Sequence, residues 1–126
     1  MTSPFTAMPA HEHVASNELA FAIRDANPVA LGHSLVIPRR EIATWFEATP
    51  EEQIAIMALL AVVKDGLDAE LHPDGFNIGI NVGAAGGQSV FHLHVHLIPR
   101  FHGDAPVPGG GMRRAIPGRG DHPSAR

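Results

Sequence analysis

A chain of 126 residues with 44% hydrophobic content suits one globular domain that buries a core of its own. Its net charge of −4 offers no basic field for wrapping duplex nucleic acid, and no apolar run nears the ~20 residues that a bilayer demands. The opening MTSPFTAMPAHEH lacks the charged start and apolar stretch of a secretory signal, so the expectation is a cytoplasmic protein of small ligands, with neither nucleic acid nor membrane as partner. Without cysteine there are no disulfides, thiolate nucleophiles or cysteine-held zinc; histidine, carboxylate and hydroxyl groups must carry the chemistry.

Residues 1–18, with Pro4, Pro9 and His11-Glu12-His13, show no period and read as an N-terminal extension. LAFAIRD (19–25) is a short apolar run broken by Asn27-Pro28, and HSLVIP (33–38) is a second, entered through Gly32 and stopped by Pro38. The two predict a pair of strands. From Arg39 to Ala48, Ile42, Trp45 and Phe46 at helical spacing predict a short helix. Thr49-Pro50-Glu51-Glu52 then places a hydroxyl at the cap, proline at the first helical position and glutamate at the third, which marks the start of the main helix. Ile56, Leu59, Leu60, Val63 and Leu67 form its apolar stripe, which ends before His72-Pro73-Asp74-Gly75.

GFNIGINV (75–82) alternates Phe76, Ile78, Ile80 and Val82 with Asn77, Gly79 and Asn81, and so predicts a strand. GAAGGQS (83–89) is a flexible glycine-rich connection, after which SVFHLHVHLIP resumes the strand pattern until Pro99, completing a hairpin. Residues 103–126, with Pro106, Pro108, Gly109-Gly110-Gly111, Pro117 and Pro123, read as a loop-like tail. The organisation is thus one domain, 19–102, between two looser ends.

FHLHVHLIPR (91–100) carries the chemistry. On a strand, His92, His94 and His96 share one face, each about 6.5–7 Å from the next, while Phe91, Leu93, Val95 and Leu97 share the other and make core. A solvated histidine-rich face is the bland reading. A zinc site is the second, but three rings spread over ~13 Å do not converge on one ion, and no acidic residue occupies the alternate positions. The third is nucleophilic and acid–base work along an extended phosphate chain.

HLHVHLIP resembles the His-x-His-x-His-x-x signature of the histidine triad (HIT) superfamily of nucleotide hydrolases and transferases. Asn81-Val82-Gly83 with Gly86-Gly87-Gln88-Ser89-Val90 is similar to that family's Asn-x-Gly and Gly-Gln-Ser/Thr-Val loop, and Asp25, Pro28, Gly32, His33 and LVIP to its N-terminal segment. The resemblance covers roughly residues 19–100. It implies that His94 attacks the α-phosphorus of a nucleotide to form a nucleotidyl-imidazole that water then cleaves, its other ring nitrogen held by a backbone carbonyl. His33 and His92 would form the supporting hydrogen-bond network, and His96 would face the phosphate oxygens or the leaving group.

Among the other residues, Asp25 would accept from the ribose hydroxyls, with a turn role beside Asn27-Pro28 as the alternative. Asn81 would meet sugar or phosphate, and the glycines through Gly87 would let backbone amides approach an anion, with Gln88 and Ser89 adding donors. Phe21 and Ile23 would wall the base, unless they are simply core.

Some branches begin with cysteines that hold a structural zinc; here the matching stretch is SPFTAMP, so no metal is expected. PRFHGDAPVPGGGMRRAIPG is similar to the tail of a bacterial HIT-like branch and lacks the C-terminal tryptophan that other branches use. The arginines from there to the end of the sequence, Arg100, Arg113, Arg114, Arg119 and Arg126, either contact a long polyphosphate or lie on a solvated end. The resemblance implies an α+β fold, a five-stranded antiparallel sheet with one main and one short helix, continued into ten strands across a homodimer. It also implies a cofactor-free enzyme cleaving at the α-phosphate of purine nucleotide conjugates, either dinucleoside polyphosphates or nucleoside phosphoramidates. The alternative is a purine-nucleotide sensor or interaction protein in which turnover is vestigial.

Overall fold

Short apolar runs separated by turns pair into one antiparallel sheet of five strands, seen in a computed structural model that describes residues 3–120. In chain order these are β1 (Ala15–Ser16), β2 (Ala20–Arg24), β3 (Ser34–Pro38), β4 (Gly75–Ile80) and β5 (Val95–Arg100), and in space β1-β2-β3-β5-β4. One long helix, α1 (Pro50–Leu71), connects β3 to β4. Among the described residues no helix is long and apolar enough to cross a membrane.

The start of α1 is built as its sequence predicts. Thr49 Oγ1 accepts from the Glu52 amide at 3.1 Å while the Glu52 carboxylate accepts from the Thr49 amide at 2.9 Å, so two orphan donors are satisfied reciprocally. Arg40 clamps the same carboxylate with two N–H groups, at 2.8 and 3.1 Å. The helix ends on His72, whose left-handed φ of 51° turns the chain toward β4.

Both faces of the central strands are covered. On one, Ala20, Ala22, Val36, Val95 and Leu97 pack under Ile56, Leu59, Leu60, Val63 and Leu67 of α1. On the other, Phe21, Ile23, Leu35 and Ile37 pack against Phe5 and Met8 from the N-terminal segment. Burial on two sides is why β2 and β3 read as solid apolar runs rather than as an alternation. The sheet therefore begins before residue 19, and residues 3–8 form a second packing layer rather than a loop-like end.

Two expected elements are shorter than their spacing suggests. In place of a helix over Arg39–Ala48 there is a single 3-10 turn at Trp45–Glu47. The Glu47 carboxylate accepts from the amides of Ala43 and Thr44, and the Ile42 carbonyl is taken by the Leu93 amide at 2.7 Å, so the groups that would close helical turns are bonded elsewhere. The final strand starts at Val95 rather than at Ser89, and Phe91 is exposed instead of joining the core. Pro123 and Arg126 lie outside the described residues.

Gly32 shows how tightly the β2–β3 turn sits on the helix. Its φ is +81°, and a Cβ there would stand 2.7 Å from Leu71 Cδ1 and 2.8 Å from Leu67 Cδ2. Gly32→Ala is expected to cost about 1–3 kcal/mol through the disfavoured φ and that crowding, measured as a lowered denaturation midpoint at unchanged slope.

Candidate active site

The histidines stand where β5 begins, and backbone groups decide which ring nitrogen carries each proton. His94 Nδ1 lies 2.8 Å from the carbonyl of His92, which can only accept, so Nδ1 carries the proton and Nε2 of the neutral ring keeps its lone pair. His92 Nε2 lies 2.8 Å from the carbonyl of Pro38 and donates to it for the same reason. His92 Nδ1 is then an acceptor, and the Ser3 hydroxyl donates to it at 2.8 Å.

The opposite polarity governs the second pair. The Val29 amide donates to His33 Nδ1 at 3.2 Å, which places the His33 proton on Nε2. That nitrogen is 3.0 Å from His96 Nδ1 and donates to it, leaving His96 with its N–H on Nε2. His94 thus offers a lone pair and His96 a donor, from rings whose centroids are 5.1 Å apart.

Burial keeps this second pair neutral. His33 is held below the ordinary imidazole range by desolvation, which outweighs the nearby Asp25 carboxylate. His96 is lowered chiefly by desolvation as well, then by His94 and His33, against the same opposing carboxylate. The 3.4 Å approach of His33 Nε2 to Asp25 Oδ2 is therefore a contact between a neutral ring and a carboxylate.

A cleft of about 440 Å³ opens over His94 and His96. Phe5, Met8, Ile23 and Leu35 supply its apolar end, Asp25 and Asn27 one polar corner, and Asn81 and Ser89 another. Asp25 serves the turn too, its Oδ1 accepting from the Asn27 amide at 2.9 Å. Gly87 has φ of +94° and approaches the Asn81 side chain, as a glycine-bearing loop over an anion requires.

Two expected contributions, those of Phe21 and Gln88, fall elsewhere. Phe21 lies beneath the cleft's wall, stacked on His13 with centroids 4.3 Å apart, so Ile23 lines the cavity and Phe21 does not. This stacking also seats His13 of the N-terminal extension against β2. Gln88 is buried and its side-chain amide is spent inside the fold: Nε2 donates to the carbonyls of Ala43 and Val90, and Oε1 accepts from the Gly83 amide. It holds the loop closed rather than adding a donor. His92 is fully buried under Ser3 and Phe5, so the triad is a buried member, a nearly buried one and a half-buried one.

Ser3 and Phe5 are site residues that sequence reasoning missed. Phe5 meets the His94 ring edge-on, with centroids 5.1 Å apart. No period or motif marks them, since their partners lie some ninety positions along the chain.

Among the described residues, Asp25, His33 and His96 each present a ligand atom within 4.8 Å of the others, close enough for one cation. The set contains one triad member rather than three, and its carboxylate comes from beyond β2 rather than from the triad strand. An ion there would displace the His33 proton and the His33–His96 hydrogen bond.

Comparison with known proteins agrees with this geometry. The HIT domain family matches residues 9–103. A HIT-like protein of Mycoplasma pneumoniae is 44% identical over 89 residues, which is 70% of this chain and 61% of that one. The AP-4-A phosphorylase of Mycobacterium tuberculosis is 35% identical over 108 residues, 81% of this chain and 55% of the relative. The chain thus spans a little over half the length of these two curated relatives. A crystal structure of a HIT-family protein from Bacillus subtilis superposes with a TM-score of 0.75 at 31% identity, covering 82% of this chain and 77% of that one. With the family matched across the sheet, the glycine loop and all three histidines, the chain belongs to the HIT domain family.

Proposed function

We propose that the protein is a nucleotide hydrolase or transferase that cleaves purine nucleotide conjugates at the α-phosphate through a covalent nucleotidyl-imidazole on His94. The observation that carries this reading is the His94 Nδ1–H hydrogen bond to the His92 carbonyl, which leaves Nε2 as the nucleophilic nitrogen of a ring lining the cleft. Nε2 attacks phosphorus, the bond to the leaving group breaks, and the departing atom takes a proton. Water then adds to phosphorus and gives up a proton, which balances the one taken by the leaving group; the Nε2–P bond breaks and the neutral His94 ring is restored with release of the mononucleotide.

The surrounding residues divide the remaining work. The apolar end of the cleft takes the base, Asp25 accepts from ribose hydroxyls, and Asn81, Ser89 and the backbone beside Gly87 meet the phosphate oxygens. His96, with Nε2–H as donor, faces the developing charge; His33 positions His96, and His92 positions the carbonyl to which His94 is bound. The name of the mycobacterial relative supports a dinucleoside polyphosphate as one substrate, and nucleoside phosphoramidates meet the same chemistry. We place the protein in the cytoplasm and assign it no metal or other cofactor.

A homodimer follows from the same reading. Among the described residues β4 is an edge of the sheet with β5 as its strand neighbour, and Ile54, Met57 and Val62 of α1 are exposed. Two β4 edges meeting would give ten continuous strands. Sedimentation of the purified chain should give twice the monomer mass at micromolar concentration, and a monomer there would remove this part of the proposal.

Protein quenched during turnover of an adenosine 5′-phosphoramidate should carry one adenylyl group on His94, seen by mass spectrometry of the digest. His94→Ala should lose turnover by at least about 10³-fold while still binding AMP. Nucleotide binding without an adduct would instead favour a sensor.

The proton relay also predicts a pH dependence. His33 and His96 have folded pKa values depressed below 6.5, so the folded state binds fewer protons than the unfolded one as pH falls. Their contribution to stability is fully present above pH 6.5 and is lost as pH falls through the depressed values. The melting temperature should drop between pH 6.5 and 5, and His96→Asn should make that drop shallower in a calorimetric series.

A further inference from the structure

The carbonyl that fixes the His94 proton stands outside the regular sheet. Strand β5 begins at Val95, and its ladders with β3 and β4 both stop there. The backbone that aims the nucleophile therefore needs other anchors.

Those anchors come from one stretch, residues 38–42, that leads away from β3. The Pro38 carbonyl accepts from His92 Nε2 at 2.8 Å, and the Ile42 carbonyl accepts from the Leu93 amide at 2.7 Å. Between them stands Glu41, an exposed carboxylate that lines no part of the cleft. Its Oε1 accepts from the Ser3 amide at 2.6 Å, and the Ser3 hydroxyl in turn donates to His92 Nδ1 at 2.8 Å.

Every polar group of the buried Ser3 is in use. The Phe5 amide donates to its Oγ at 3.1 Å, which leaves the hydroxyl proton for His92, and its carbonyl accepts from Thr6 Oγ1 at 3.0 Å and from the Ala7 amide at 3.2 Å. Those last bonds are local and move with the segment. Among the described residues, the bond to Glu41 is the one that ties the Ser3 main chain to another part of the domain. The Pro38 bond sets the His92 tautomer but leaves the ring to pivot on that nitrogen. A second bond on the opposite nitrogen fixes the ring plane, and with it the peptide unit whose carbonyl receives the His94 proton.

We propose that Glu41 is a positioning residue for the nucleophile: it holds Ser3 against His92 and so fixes the carbonyl that keeps the His94 lone pair aimed at the cleft. The inference rests on the nucleotidyl-His94 reading. Without the Glu41 acceptor, Ser3 swings away, the buried His92 Nδ1 loses its donor and the carbonyl turns. The chemical step suffers while nucleotide contacts stay in place, because none of these bonds reaches Asp25, Asn81 or Ser89. Phe5 and Met8 also keep their seat, packed on Phe21, Ile23, Leu35 and Ile37.

The test measures kcat and KM for an adenosine 5′-phosphoramidate in wild type, Glu41→Ala, Glu41→Gln and Ser3→Ala, together with melting temperature and the histidine ring nitrogens by nitrogen-15 NMR. Glu41→Ala and Ser3→Ala should each lower kcat by at least about tenfold with KM within about twofold of wild type. Their His94 nitrogens should move toward the shifts of exchanging tautomers. Glu41→Gln keeps an oxygen that accepts from Ser3 and should recover kcat to within about threefold of wild type. Three results would overturn the proposal: Glu41→Ala with kcat and His94 shifts unmoved, whatever its melting temperature; a loss carried by KM alone; or Glu41→Gln no better than Glu41→Ala. If wild type forms the adenylyl-His94 adduct while the variants match it, only this inference falls. If wild type forms no adduct, the underlying reading falls and takes the positioning role with it.

Discussion

A single hydrogen bond, from His94 Nδ1 to the carbonyl of the residue two positions earlier, decides what the site can do. An imidazole free in solution exchanges between two tautomers, and only one of them presents a lone pair at a given nitrogen. A carbonyl has no proton to give, so this contact removes the ambiguity. The Pro38 carbonyl sets His92 in the same way, and the Val29 amide sets His33 and, through it, His96. Four rings thus have their protons placed by backbone groups that belong to turns and strand ends, which makes the chemistry a consequence of the fold.

That dependence explains why the sheet is enclosed on both sides. One face needs α1 for its core, and the other needs the N-terminal segment to shut water away from His92 and to lay Phe5 against His94. Burial also holds His33 and His96 below the ordinary imidazole range, whereas Asp25 alone would raise both. The seats of His92 and His94 therefore depend on Ser3 and Phe5 as well as on β5. It also explains the cost accepted at Gln88, a buried polar side chain whose amide is saturated by three backbone partners in order to pin a loop made flexible by glycine.

Much of this was legible in the order of residues, and the gaps have physical causes. The α1 boundaries follow from local chemistry, Thr49-Pro50-Glu51-Glu52 at one end and His72-Pro73 at the other, and needed no knowledge of distant partners. The β5 alternation sorted Leu93, Val95 and Leu97 from the histidines even though the regular strand begins only at Val95. Contacts across the chain were not legible. The Ser3–His92 bond, the seat of Phe5 and the stacking of His13 on Phe21 depend on how the chain folds back on itself, and no spacing rule encodes them. The Arg39–Ala48 stretch shows the converse, where helical spacing is present but a tertiary bond to Leu93 and the Glu47 carboxylate capture the backbone groups first.

Nitrogen-15 NMR of the ligand-free protein at pH 7, with histidine side chains assigned, tests the central claim most directly. A His94 ring protonated at Nδ1, with Nε2 at the shift of an unprotonated nitrogen, is the predicted result. A His94 ring protonated at Nε2, or exchanging between tautomers, would leave no nucleophile aimed at the cleft and would contradict the account.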